Sequence, residues 1–221
     1  MPRDSATAIP LDELLKAYTL GYFPMARSRD AESVVWVMPE ERGALPLDKF
    51  RCPRRLKRFI AKEPFTVRFD TAFAQVIRAC AEPAPGRNDT WINDAIEEAY
   101  TELYHLGVAH SVECWRDGKL AGGLYGVALG GAFFGESMFT RETNASKVAF
   151  VHLAARLKLG GFTLLDAQFH TEHLAQFGVE EIPNDDYLKL LEAALAVKAD
   201  FRAAPDYLPT GAVLQSITQT S

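Results

Sequence analysis

Residues 130–147, GGAFFGESMFTRETNASK, place a carboxylate, Glu136, and a hydroxyl, Ser137, inside an apolar run. Strand alternation would put Phe134, Glu136 and Met138 on one face and Phe133, Gly135, Ser137 and Phe139 on the other. An acid among apolar neighbours needs a partner, because burying an unpaired charge is costly. The partner is either internal, such as Arg141 or a backbone N–H, or a cationic substrate. A second pair, Asp166 and Gln168, lies in LLDAQF. Alternation sends Leu164, Asp166 and Gln168 to one face, where acid and amide can bind one polar group jointly or cap a turn at the strand end.

Two further groups suit a nucleic acid. RCPRRLKRFIAK packs Arg51, Arg54, Arg55, Lys57, Arg58 and Lys62 into twelve residues of an otherwise acidic chain. Such a face suits a phosphate backbone through salt-sensitive contacts, or it is an ordinary solvated face. Trp91, in TWIND, lies just before a helix. It can stack on a base or plug a seam between helix and sheet. Trp36 and Trp115 carry the same two readings.

Other chemistries fail on spacing. GESMF lacks the final glycine of a serine-hydrolase elbow. The histidines at 105, 110, 152, 170 and 173 show no HExxH pattern. The three cysteines, Cys52, Cys80 and Cys114, lack CxxC spacing, which argues against a disulfide framework or a zinc site. They read as reduced thiols, with Cys80 at a helical core position and Cys114 on a strand as buried small hydrophobes.

These groups need elements to hold them. The 221 residues suffice for one large core or two small domains, and 48% are hydrophobic, so the chain is globular. A net charge of −5 argues against nucleic-acid binding through global charge. MPRDSATAIP has no apolar core of a signal peptide, and no run approaches the roughly 20 residues of a membrane span, so a cytoplasmic protein is expected.

LDELLKAYTL, residues 11–20, buries Leu11, Leu14, Leu15 and Tyr18 along one helical face. A loop-rich segment with one strand, VVWVM, follows. Asp70 reads as the cap of a helix carrying Phe73, Val76, Ile77 and Cys80. EPAPGRND is a loop. Asp94 and Glu97 form a capping box for the next helix. Three antiparallel strands follow, AHSVECWR, KLAGGLYGVALG and AFFGESMF. ASKVAFVHLAARLK, with Asn144 as cap, is apolar on nearly every side and reads as a buried helix. FTLLDAQF is a strand that can pair in parallel, and NDDYLKLLEAALA is a last helix. Beyond about residue 202 a small, polar tail is expected to be loosely held. The order predicts an α+β (or α/β) protein with a soft boundary at residues 60–66. A small N-terminal domain (1–62) would precede a Gcn5-like domain (63–202) and a tail (203–221).

GYFPMA, WVMPEERG, PRRLKRF, TWIND, GVAHSVECW, GGLYGVALGGAFFGESMF, NASK, LLDAQF and EHLAQFGVEEIP follow one another in the order of one family. Over residues 11–195 the chain resembles the leucyl/phenylalanyl-tRNA–protein transferases. The resemblance implies an aminoacyltransferase that moves Leu or Phe from charged tRNA to proteins with N-terminal Lys or Arg, marking them for N-degron degradation. It implies a Gcn5-related acyltransferase domain with a mixed, mostly antiparallel sheet, and no metal or acetyl-CoA. Glu136 would help hold the cationic acceptor. Leu124, Phe133, Met138, Phe150, Leu153, Leu157 and Leu165 would line the pocket for the transferred side chain. Asp166 and Gln168 would be the catalytic pair, with Asp166 drawing on the Gln168 amide, or a terminal ribose hydroxyl would shuttle the proton. Trp91, with Trp36, would stack at the terminal adenosine. Arg54, Arg55, Lys57, Arg58 and Lys62 would grip the acceptor stem. Two positions depart from the family: Val37 stands where a second Trp is frequent, and Leu124 where Met is.

Two other readings of the residues alone are an acetyl-CoA-dependent N-acetyltransferase and a non-catalytic tRNA-binding module. The first wants a glycine-rich pyrophosphate loop before the buried helix, where RETNASK has no glycine. The second would leave Glu136, Asp166 and Gln168 dispensable.

Overall fold

The structure, a computed structural model, describes residues 8–83 and 88–217. Most of MPRDSATAIP and the middle of the EPAPGRND loop lie outside the described residues. Helix α1 (Leu11–Thr19) leads into a small hairpin of β1 (Phe23–Ala26) and β2 (Val34–Val37). The main sheet has seven strands in the order β4-β5-β6-β7-β8-β3-β9. In residues these are Thr66–Phe69, Ala109–Arg116, Lys119–Leu129, Ala132–Thr140, Leu164–Gln168, Glu41–Pro46 and Glu180–Pro183. Every pairing is antiparallel except β7 with β8, which is parallel. This is the mixed, mostly antiparallel α+β architecture that the strand order predicts.

Helices cover both faces. On one lie α2 (Arg54–Ile60), α5 (Ala145–Leu159) and α8 (Thr210–Ser216). On the other lie α1, α3 (Phe73–Ala81), α4 (Asp94–His105) and α7 (Asn184–Leu195). Helix α5 is buried around almost its whole circumference, as its composition requires.

Several local expectations change. Strands β1, β3 and β9 and the short helix α6 (Glu172–Ala175) carry no strong period in sequence. Strand β3 comes from the segment expected as a separate N-terminal domain, yet it is hydrogen-bonded on both edges within the main sheet. Asp70 does not cap α3. Its backbone is left-handed (φ 55°), and its carboxylate accepts from the Ser111 N–H and contacts His110. The buried Glu113 caps α3 from strand β5, accepting from the Thr71 and Ala72 N–H groups. Asn93, one residue before Asp94, caps α4 by accepting from Ile96 N–H, and Glu97 instead pairs with Arg29 and Arg78. Asn144 occupies the cap position of α5 but makes no side-chain cap bond.

Over its described residues, 203–217, the tail is not loose. Leu208, Val213 and Ile217 are buried against α5. Arg156, itself buried, donates to the carbonyls of Phe201, Ala204 and Pro205 and fastens the chain there. Leu208, Val213 and Ile217 all turn to the core while Tyr207 stays exposed, an arrangement that the tail's polar composition hides.

Candidate active site

The acid in GESMF sits on a β-bulge. Tyr125 on β6 faces Ser137 and Gly126 faces Gly135, so Glu136 is the extra residue. A bulge breaks the two-residue alternation. Phe134 and Phe139 therefore face the α1 and α4 side, while Phe133 and Met138 face the α5 side. The expected common face of Phe134, Glu136 and Met138 is divided at the bulge.

Glu136 is 7% exposed, and among the described residues it forms no ion pair, with Arg141 or with any other cation. Arg141 pairs with Glu82. Three neutral donors meet the carboxylate. The Tyr18 hydroxyl donates to Oε1 at 2.6 Å, Gln168 Nε2 donates to Oε1 at 3.0 Å, and the Tyr100 hydroxyl donates to Oε2 at 3.0 Å. Tyr18 and Tyr100 also contact each other through their hydroxyls. Burial pushes the Glu136 carboxyl up to about 7. The two hydroxyls pull the other way, while nearby Asp166 reinforces the rise.

Asp166 lies behind this cluster and is fully buried. Its Oδ1 accepts from Arg42 Nε at 2.9 Å and from the backbone N–H of Gln168 at 2.8 Å. Its Oδ2 accepts from Arg42 Nη2 and from the Tyr187 hydroxyl, both at 2.6 Å. Those four bonds use the full acceptor capacity of a carboxylate. Arg42 is also fully buried, between the rings of Phe23 and Tyr187 at 4.8 and 4.5 Å, and donates its remaining terminal nitrogen to Gly21 O. Burial works against its charge, but Asp166 outweighs that, and the guanidinium holds its proton more firmly than usual. The expected contact of Asp166 with the Gln168 side-chain amide is absent. Asp166 holds the backbone of Gln168, whose φ is +60°, and the amide turns to Glu136.

Beside Glu136 opens a cleft of about 360 Å³ between β6, β7, β8 and α5. Leu124, Met138, Phe150, Leu153 and Leu165 line it, and Glu136 and Ser137 supply polar atoms. Phe133 and Leu157 are fully buried in the core and do not reach it. Thr171, at the end of the turn after β8, and His173 and Leu174 of α6 close one side. That turn lies tight on β3: a Cβ on Gly43 would stand 2.6 Å from the Phe169 carbonyl carbon.

The nucleic-acid candidates lie on other elements. Helix α2 turns Leu56 and Ile60 inward and leaves Arg54, Arg55 and Arg58 exposed, with Lys57 half-buried and Lys62 exposed just beyond. Trp36 is exposed on β2. Trp91 is half-buried, and its carbonyl accepts from Ala26 N–H, which ties TWIND to the β1–β2 hairpin.

Tyr18, Tyr100, Arg42 and Tyr187 escaped the sequence reading. Tyr18 read only as a buried helix-face residue. Arg42 sits in EERGALP, where nothing in the spacing marks a strand. Among the described residues no three His, Cys, Asp or Glu side chains gather as a metal site, and no helix is long and apolar enough to cross a membrane.

The mixed sheet, with helices on both faces, thus carries a buried acid held by neutral donors with an apolar cleft beside it. The model of the leucyl/phenylalanyl-tRNA protein transferase family matches residues 44–192. The chain is 56% identical over 214 residues to the leucyl/phenylalanyl-tRNA–protein transferase of Phenylobacterium zucineum, covering 95% of this chain and 97% of that one. It is 54% identical over 218 residues to that of Caulobacter vibrioides, covering 97% and 99%. With that of Paramagnetospirillum magneticum it shares 58% over 190 residues, covering 86% and 91%. Among solved structures, that of L-PGS from Bacillus licheniformis aligns over 82% of this chain and 62% of that one, at 12% identity and a TM-score of 0.42, too distant to bear on the site. The chain belongs to the leucyl/phenylalanyl-tRNA–protein transferase family, and it is an aminoacyltransferase.

Proposed function

We propose that the protein moves Leu or Phe, and Met to a lesser extent, from charged tRNA in the cytoplasm to the N-terminal Lys or Arg of acceptor proteins. The new peptide bond marks them for N-degron degradation. The observation that carries this reading is the junction of the apolar cleft with Glu136. A leucyl or phenylalanyl side chain fills the space between Leu124, Met138, Phe150, Leu153 and Leu165. The ester carbonyl then lies toward the polar end, where a cationic acceptor meets the acid. An apolar pocket separates side chains differing by one methylene by only about 1–3 kcal/mol, so both Leu and Phe are accepted.

Gln168 orients the reacting groups, and Asp166, held by Arg42, fixes Gln168. Such positioning supplies a large share of a transfer rate. Trp91 and Trp36 stack at the terminal adenosine. Arg54, Arg55, Lys57, Arg58 and Lys62 bind acceptor-stem phosphates without reading sequence. Phe133 and Leu157 act behind the cleft wall and not in it. No metal or acetyl-CoA is needed, because the aminoacyl ester is already activated.

The test uses radiolabelled Leu-tRNA and two peptides differing only in an N-terminal Arg or Ala. Label on the Arg peptide alone is expected. Label on neither, with the charged tRNA intact, would refute the reading.

A further inference from the structure

The contacts among Glu136, Tyr18 and Tyr100 do not balance in protons. There are three oxygen–oxygen links: Tyr18 to Glu136, Tyr100 to Glu136, and Tyr18 to Tyr100. Each link needs one proton. With Glu136 ionised, the two hydroxyls supply two, both pointed at the carboxylate, and the link between the tyrosines is empty. One more proton, on Glu136, completes the set: Glu136 donates to Tyr100, Tyr100 to Tyr18, and Tyr18 back to Glu136. Gln168 Nε2 serves Oε1 in either state.

We propose that Glu136, Tyr18 and Tyr100 form a ring that takes the proton from the acceptor's α-ammonium and holds it while the free amine attacks the aminoacyl ester. This rests on the function proposed above. An N–H bond of the ammonium breaks, and an O–H bond forms on the Glu136 carboxylate. The amine lone pair then forms the C–N bond. The ester C–O bond breaks with its electrons going to the terminal ribose oxygen, which takes the second amine proton. Glu136 finally returns its proton to solvent.

The surroundings leave Glu136 as the base. Tyr18 faces it from α1, Tyr100 from α4, and Gln168 and Asp166 from β8. Arg42 on β3 and Tyr125 on β6 act at longer range. Asp166 has no acceptor capacity left, and Arg42 compensates its charge. Tyr18, Tyr100 and Tyr125 hold their own protons far above their ordinary range, first through burial and then through the adjacent Glu136. A carboxyl near 7 is matched to an α-ammonium, whose ordinary value is about 7.7–8.0, as efficient proton transfer requires.

The test is the pH dependence of kcat/KM for an Arg-initiated peptide in the wild type, Tyr18→Phe and Tyr100→Phe. The wild type should give a bell, its acid limb set by Glu136 and its alkaline limb by the acceptor ammonium. Each Phe variant removes a donor to the carboxylate, so the acid limb should move up by about half a pH unit or more while the alkaline limb stays. A merely structural tyrosine would lower the rate and leave the limb in place. An unmoved limb in variants that still turn over overturns the ring alone. No transfer by the wild type at any pH overturns the underlying reading and the ring with it. Should neither variant fold, calorimetry on the wild type in two buffers of different ionisation enthalpy decides. Binding of the Arg peptide at pH 6 should release about one proton, and none would overturn the ring.

Discussion

Arg42 and Asp166 form a fully buried, two-pronged ion pair, with Nε to Oδ1 at 2.9 Å and Nη2 to Oδ2 at 2.6 Å. Asp166 then holds the Gln168 backbone, and Gln168 holds Glu136. Four residues on three strands thus form one polar chain at the head of the cleft, and of the four Glu136 lines the cleft wall.

Removing one half of that pair strands the other in a dry interior. Arg42→Met should cost about 3–5 kcal/mol in urea unfolding. The double variant Arg42→Met with Asp166→Leu should be more stable than Arg42→Met alone, because no uncompensated charge remains. Equal stability of the two variants would mean that the pair carries little.

Glu136 makes stability depend on pH. Its folded-state value, about 7, lies above its ordinary 4.5, so the folded protein binds more protons than the unfolded chain between those values. Its contribution is full below about pH 4.5 and is lost as pH rises to 7, on the order of 3 kcal/mol in all. Denaturant midpoints of Glu136→Gln between pH 5 and 8 should lack this fall. Parallel curves for variant and wild type would contradict the assignment.

How much of this was legible in sequence depended on whether a signal was periodic. The three-strand run and the parallel strand β8 could be read from short apolar runs bounded by turn residues, and the buried helix α5 from an apolar composition that leaves no polar face. The bulge at Glu136 could not, since one extra residue reverses every side chain beyond it without changing composition. Tyr18 was visible as a buried helix residue, but its hydroxyl partner lies 118 positions away, beyond any local pattern. Arg42 was hidden in a short strand rich in turn-forming residues. Asp166, Gln168 and Glu136 were all singled out, yet their division of labour came only from the hydrogen bonds.

Met138 lines the cleft and is half-buried, so it can be enlarged without opening the core. Met138→Trp should shrink the pocket and disfavour Phe against Leu by at least about tenfold, the equivalent of roughly 1.4 kcal/mol. Competition between Phe-tRNA and Leu-tRNA reads this directly. An unchanged ratio would place the side chain elsewhere.

The exposed cations of α2 should act on tRNA through salt-sensitive contacts. Arg54→Ala and Arg58→Ala should each weaken charged-tRNA binding across all sequences. Each should also lower the slope of log affinity against log salt by about 1. Thermal stability should shift little, since both side chains point to solvent. Unaltered slopes would leave α2 as a solvated face.

Residues 203–217 should be indispensable. Leu208, Val213 and Ile217 are buried on α5, and each such side chain contributes about 1.5–3 kcal/mol. A chain ending at residue 202 loses all three, together with two carbonyl partners of Arg156. That approaches the whole stability of an ordinary domain. It should show no cooperative melting transition, and a transition like the full chain's would return the tail to the loosely held class.

Strand β3 has a consequence for the order in which the protein is made. It sits between β8 and β9, and Arg42 waits for an acid 124 positions downstream. A ribosome that has synthesised only the first half of the chain has produced an arginine with nothing to neutralise it and a strand with neither neighbour. Contacts so distant along the chain slow folding, because the intervening loop must close before any pairing rewards it. The enzyme therefore gains its active site late, once Tyr187 and the buried tail through residue 217 have left the exit tunnel, and no shorter nascent fragment holds a competent centre.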